Sequence, residues 1–141
     1  TFQNIPQDGV DLVLFMSARS SAGSLVDSVL IAINGATSTT NARLRAVGNN
    51  VSQDTSRAEN TAEGSNSGTF GSLRYYFPNY TINAPKMVTT DFAAPNSSAS
   101  GTQIGMVATI MDGSTAPITS ITILEPVVQH STYSLYKITA D

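Results

Sequence analysis

Serine–histidine–acid catalysis in this chain would have to run through a single histidine. His130 is followed directly by Ser131. A serine–histidine–acid relay needs the imidazole within hydrogen-bond reach of the hydroxyl, and neighbouring strand residues point to opposite faces. No Gly-x-Ser-x-Gly elbow is present, so His130 reads as a turn residue. Paired carboxylates for glycoside hydrolysis are the next possibility. The ten acidic residues are dispersed. Asp27 and Asp91 sit inside predicted strands and are the only ones in a setting that could perturb a pKa; solvated or edge positions account for them better. Asp8, Asp11, Asp54 and Asp112 lie in or near predicted loops and offer oxygens to calcium, but without the Asp-x-Asp-x-Asp spacing of a calcium loop. With no cysteine and one histidine, thiolate zinc and a multi-histidine metal site within one chain are excluded. The expectation is a non-enzymatic protein with no catalytic residue, cofactor or metal.

The other chemically suggestive group is aromatic. Tyr75, Tyr76, Phe77 and Tyr80 cluster with Asn79 and Asn83. Rings beside amides suit sugar stacking, but they also suit a core or subunit interface. The interface or core reading is preferred, with Tyr75, Tyr76, Phe77, Asn79 and Tyr80 as the candidate recognition residues. Three Asn-x-Ser/Thr sequons begin at Asn50, Asn79 and Asn96. A chain this rich in Asn, Ser and Thr produces them by chance.

Composition narrows the partners. Only 12% of the 141 residues are charged, about half the usual share. Ser and Thr supply about a quarter of the chain, and there are ten Asn. Hydroxyls and amides do not repel copies of themselves as like charges do, so the composition suits dense self-assembly or extracellular exposure. The net charge is −3, and the seven basic residues, Arg19, Arg43, Arg45, Arg57, Arg74, Lys86 and Lys137, are scattered. Nucleic-acid binding wants a concentrated basic footprint, and none is present. No run approaches the roughly 18–20 apolar residues of a membrane helix, and there is no signal peptide. The chain starts at Thr1, as a processed or incomplete chain would. Without disulfides, stability must come from packing, with oligomerisation as an optional addition.

The elements that would position these groups are all strands. Alternating or concentrated apolar residues predict strands over 10–19, 26–34, 42–47, 69–77, 86–93, 102–111, 118–124 and 132–138. In the first, Leu12, Leu14, Met16 and Ala18 oppose Val13 and Phe15, as in a central or covered strand. Gly105 inside 102–111 signals a bulge or a close backbone approach. Asn34-Gly35 begins a connection longer than a two-residue hairpin, Asp112-Gly113 starts another turn, and 94–101 reads as a loop. Residues 48–68 hold almost no large apolar side chain and read as a long exposed polar loop, with a short strand near 56–62 as the alternative. The expected fold is all-β: one domain over 1–141, an antiparallel two-sheet β-sandwich, jelly-roll-like, of about eight strands.

Several segments together resemble small structural proteins of tailed bacteriophages. They are Ile5-Pro-Gln-Asp-Gly-Val-Asp-Leu-Val-Leu, Ser17-Ala-Arg-Ser, Leu30-Ile-Ala-Ile-Asn-Gly, Gly71-Ser-Leu-Arg-Tyr-Tyr-Phe-Pro-Asn-Tyr, Ala116-Pro-Ile-Thr-Ser-Ile-Thr-Ile and Ser131-Thr-Tyr-Ser-Leu-Tyr. Each is generic; their order along nearly the whole chain carries the resemblance. Gly9-Val10 departs from the family's Tyr-Thr, Lys137 stands where glycine is common, and family members carry a further N-terminal strand. The resemblance implies a protein on the exterior of a virion, first a capsid decoration (cement) protein. Such a protein associates as a homo-oligomer, a trimer, and contacts the major capsid protein or other virion proteins. The alternative is the receptor-binding head of a tail fibre or tailspike that touches host surface glycans through 48–68 and 94–101. A glycan-active enzyme or free lectin is the third class.

Overall fold

The computed structural model describes residues 1–37, 39–96, 102–111 and 115–140. Among them the chain forms strands and turns and no helix. The strands are β1 (Asp11–Ser20), β2 (Val26–Ser28), β3 (Ile31–Ile33), β4 (Thr39–Val47), β5 (Asn50–Asp54), β6 (Glu59–Ala62), β7 (Gly71–Phe77), β8 (Lys86–Ala94), β9 (Gln103–Met111), β10 (Ile121–Ile123) and β11 (Thr132–Ile138).

β11, β1, β7, β8, β9, β4 and β5 lie side by side in that order, each pair antiparallel. Beyond the start of β7, Arg19 and Ser20 of β1 pair in parallel with β6, which pairs antiparallel with β2. The result is one nine-stranded mixed sheet and a separate two-stranded ladder of β3 and β10. The all-β class stands. The expected pair of antiparallel sheets with about eight strands is replaced by one large mixed sheet and a small lid.

Side-chain alternation explains how the sheet folds around a core. Leu12, Leu14, Met16 and Ala18 of β1 point inward with Leu73, Tyr75 and Phe77 of β7, Val88 and Phe92 of β8, and Val107 and Met111 of β9. Ile31 and Ile33 of β3 and Ile121 of β10 close this face, with Ile5, Tyr80 and Ile118 at one end. Burying such side chains contributes about 1.5–3 kcal/mol each.

Three differences from the sequence expectation have local causes. The predicted strand over 26–34 splits into β2 and β3, which belong to different sheets. Its apolar residues satisfy either face, so tertiary pairing decides: Val29 N–H bonds Ala58 O and Leu30 O accepts from Leu124 N–H. Asn34-Gly35 makes a two-residue turn after all. Ile33 and Ala36 exchange both backbone hydrogen bonds, and φ is 50° at Asn34 and 81° at Gly35, as a type I′ turn demands. The predicted strand over 118–124 shrinks to β10, because Asn34 holds 117–120 by its side chain. Its amide donates to Pro117 O, and its Oδ1 accepts from the Thr119 and Ser120 N–H groups.

Residues 48–68, expected as an exposed loop with a short strand near 56–62 as the alternative, contain a largely exposed β5 and, within 56–62, β6, which is buried throughout. Polar pairing replaces hydrophobic burial there. Of the loop expected over 94–101, residues 97–101 lie outside the described residues, as does the Asp112-Gly113 turn.

Candidate functional site

The outward side chains of the sheet form the most unusual surface of the molecule. Register places Ile104, Met106, Ala108 and Ile110 of β9 beside Ala46, Leu44, Ala42 and Thr40 of β4, and beside Ala93, Asp91, Thr89 and Met87 of β8. Val51 of β5 continues the row next to Ala46. Across β7, Val13 and Phe15 of β1 lie beside Tyr76 and Arg74, and Tyr136 of β11 lies beside Val13. Phe15 and Tyr136 meet edge to face at 5.8 Å. Met106 is 60% exposed, Ile104 54% and Phe15 48%. Scattered exposed apolar residues are ordinary, but here they gather into two areas, one over β9, β4 and β5 and one around Phe15 and Tyr136, with Ser72, Arg74, Thr89 and Asp91 between them.

This face carries Arg74 and Asp91, paired across the β7–β8 ladder, and Asp11 of β1, which accepts from the outward Tyr76 hydroxyl. Two shallow depressions flank the Arg74–Asp91 pair and share Asp91 and Met106. One is lined by Leu44, Val51 and Ile104, the other by Val13, Phe15 and Ile138.

Much of the remaining charge is turned inward. Arg43 of β4 is 4% exposed. Its guanidinium makes two 2.8 Å bonds to Asp54, one of 2.7 Å to Glu59 and one of 2.9 Å to Arg57 O. Arg45 adds a 2.7 Å bond to Gln103. Burial works against the Arg43 charge, but its two carboxylate partners outweigh that and raise its pKa. The same contact, with help from Ser56, holds the Asp54 carboxyl well below the usual range. This cluster ties β5 and β6 to β4. Arg43 and Arg45 therefore staple the fold, which explains why these two basic residues offer no phosphate site. Arg19 does similar work, donating to the carbonyls of Glu63 and Ser65.

A second buried polar group surrounds Glu125, which follows β10. Asn60 of β6 donates to its Oε1 at 3.4 Å. Burial pushes the Glu125 carboxyl up to about 7, with Asp27 adding repulsion. Tyr75 and Tyr133 share this environment; burial raises the Tyr75 phenol far above its ordinary value and pushes Tyr133 up to about 12. Glu125 Oε2, Asn60 Oδ1 and both phenol oxygens have no direct hydrogen-bond partner.

The sequence candidates are dispersed by the fold. Tyr75 and Phe77 point into the core and Tyr80 is fully buried at its end. Tyr76 points outward, where its hydroxyl donates to Asp11, and Asn79 sits exposed in a turn with φ of 50°. These five residues therefore do not make one recognition platform, because strand alternation and the Pro78 turn send them in different directions. Tyr80 instead anchors the N-terminal segment, its hydroxyl donating to Pro6 O.

His130 occupies a turn with φ of 71°, and Ser131 Oγ accepts from Arg19 N–H. Asp27 accepts from Ser20 Oγ at 2.7 Å, whereas Asp91 faces outward with Arg74. Asp8 pairs with Lys137, Asp11 accepts from Asn79 N–H, Asp54 binds Arg43, and Asp112 lies outside the described residues. No group of three His, Cys, Asp or Glu side chains gathers for a metal among the described residues. Sequence reading missed the outer face and the Glu125 group. The alternation of Ile104, Met106, Ala108 and Ile110 was visible, but not that this side faces outward. No family model matches the sequence, and no curated protein or solved structure matches it.

Proposed function

We propose that the protein is a non-enzymatic structural component of a tailed-bacteriophage particle. Its role is that of a capsid decoration protein on the outside of the head, acting as a homo-oligomer that clamps neighbouring shell subunits. One observation carries the reading: a broad sheet whose outer face exposes large apolar side chains with few charges, while several of the chain's charged groups are paired on the inner side or at the edges. Such a surface gains free energy by being covered, and area removed from water is worth about 25 cal/mol per Å². The low-charge, hydroxyl-rich composition and the ordered resemblance to phage structural proteins support the same role. The sandwich-like arrangement of a large sheet closed by a small ladder suits a compact block that is applied to a shell.

The test is co-sedimentation with expanded phage heads stripped of decoration, followed by the heat-disruption temperature of those heads. Binding in hundreds of copies per particle, with a raised disruption temperature, is expected. Absence of binding refutes the decoration role. Binding to host polysaccharide, with block of infection, would move the protein to a tail-fibre head.

A further inference from the structure

We propose that the outer face of the sheet is covered by the same face of a second copy of this chain, as a two-fold pair of sheets packed face to face. This deepens the reading of the chain as an assembly protein, and rests on it, by naming the occupant of the exposed face.

Area is the first argument. The run β11-β1-β7-β8-β9-β4-β5 is about 29 Å wide at ~4.8 Å per strand gap. Most of its strands are seven to ten residues long, about 23–33 Å. The face is therefore roughly 700 Å² in plan, close to the about 800 Å² that each partner supplies to a standard interface.

Charge is the second. Arg74 and Asp91 sit on β7 and β8, in the middle of the run. A two-fold axis between β7 and β8 sets Arg74 of each copy opposite Asp91 of the other, so the central pair is electrostatically complementary to itself. The same operation lays the half carrying Val13, Phe15 and Tyr136 over the half carrying Leu44, Val51 and Ile104. Rings then meet branched aliphatic side chains across the roughly 10 Å that separates packed sheets. Other occupants fit less well. An anionic lipid surface wants several Lys or Arg, and this face has one Arg. A glycan wants convergent amides and carboxylates, where β9 and β4 present mostly methyl and thioether groups and Asp91 and Asp11 are already engaged by Arg74 and Tyr76.

Sedimentation equilibrium tests the pairing on the wild-type chain and on Met106→Glu and Leu44→Glu, with circular dichroism melts to check folding. Both side chains point outward, so the folded state should survive. The wild type should be a dimer at about 50 µM, and each variant should dissociate roughly 30-fold or more readily, the loss typical of a central interface residue. Arg74→Asp and Asp91→Arg should each weaken the homodimer, and mixing the two should restore a heterodimer. Failure of that rescue overturns the two-fold arrangement. A wild-type monomer at this concentration, a trimer, or a dimer indifferent to Met106→Glu and Leu44→Glu overturns the proposal. A monomer whose binding to phage heads is lost in Met106→Glu would make the shell the occupant, leaving the decoration role intact. A dimer that never binds heads leaves the pair standing and removes the decoration role.

Discussion

Replacing Glu125 by glutamine should stabilise the protein at alkaline pH and do little at acid pH. Glu125 is 8% exposed, so solvent screens it little. Its carboxyl is raised from 4.5 to about 7, and each unit corresponds to about 1.4 kcal/mol. The sign follows from linkage. Below about pH 4.5 the group is protonated in both the folded and unfolded states and contributes nothing. As pH rises through about 7, the unfolded chain is already ionised while the folded one must ionise a buried group. The wild type thus loses roughly 3 kcal/mol between pH 4.5 and pH 8. Glutamine keeps the shape and cannot ionise, so Glu125→Gln should be roughly 2–3 kcal/mol more stable than wild type at pH 8, with the difference shrinking towards zero near pH 4.5. Urea denaturation followed by far-ultraviolet circular dichroism at pH 5, 6, 7 and 8 reads this directly; the chain has no tryptophan to report by fluorescence. The carboxylates held low by cationic partners, Asp54 and Asp8, contribute stability that is lost only as pH falls through their depressed values, below this window. A Glu125→Gln advantage independent of pH, or a variant less stable than wild type at pH 8, would refute the reasoning.

Three further outcomes are expected. Arg43→Ala leaves Glu59 buried without its strongest partner and should cost about 3–5 kcal/mol, seen as a lowered urea midpoint; a loss below about 1 kcal/mol would show that the cluster is dispensable. A Cβ at Gly105 would lie 2.5 Å from Leu44 O and 2.7 Å from the Phe92 ring, so Gly105→Ala should destabilise by about 1–3 kcal/mol, and a thermal melt unchanged from wild type would contradict that close approach. Asn34→Ala removes one donor and the acceptor of two backbone N–H groups, and should cost about 2 kcal/mol together with faster hydrogen exchange at Thr119 and Ser120; unchanged exchange there would discount the clamp.

Four of the long strands were readable from the chain. Asp11–Ser20, Lys86–Ala94, Gln103–Met111 and Thr132–Ile138 lie within a residue of their predicted bounds, because period-two patterning and flanking turn residues leave few alternatives. The close approach at Gly105 was readable too: only a missing side chain lets Phe92 and the β4 backbone come so near. β5 was not, and β6 was legible only as the alternative short strand near 56–62, since local sequence offers no apolar signal. Glu59, Asn60 and Thr61 become buried only because Arg43, Glu125 and the Pro95 carbonyl, distant in sequence, supply partners.

The aromatic cluster shows the same division. Residue types at 75–80 announced buried rings or an interface, and alternation could separate Tyr76 from its neighbours. Which side faced the core depended on where β3 and β10 settled, and that is a property of the whole sheet. Sequence by itself determined an all-β chain of low charge, without cysteine and with scattered basic residues. Tertiary structure decided that strands distant in sequence merge into one sheet, that Arg43 and Glu125 are enclosed, and that the methionine and isoleucine side of β9 faces outward. A strand pattern specifies two faces, but only the packing of the other strands decides which one is covered.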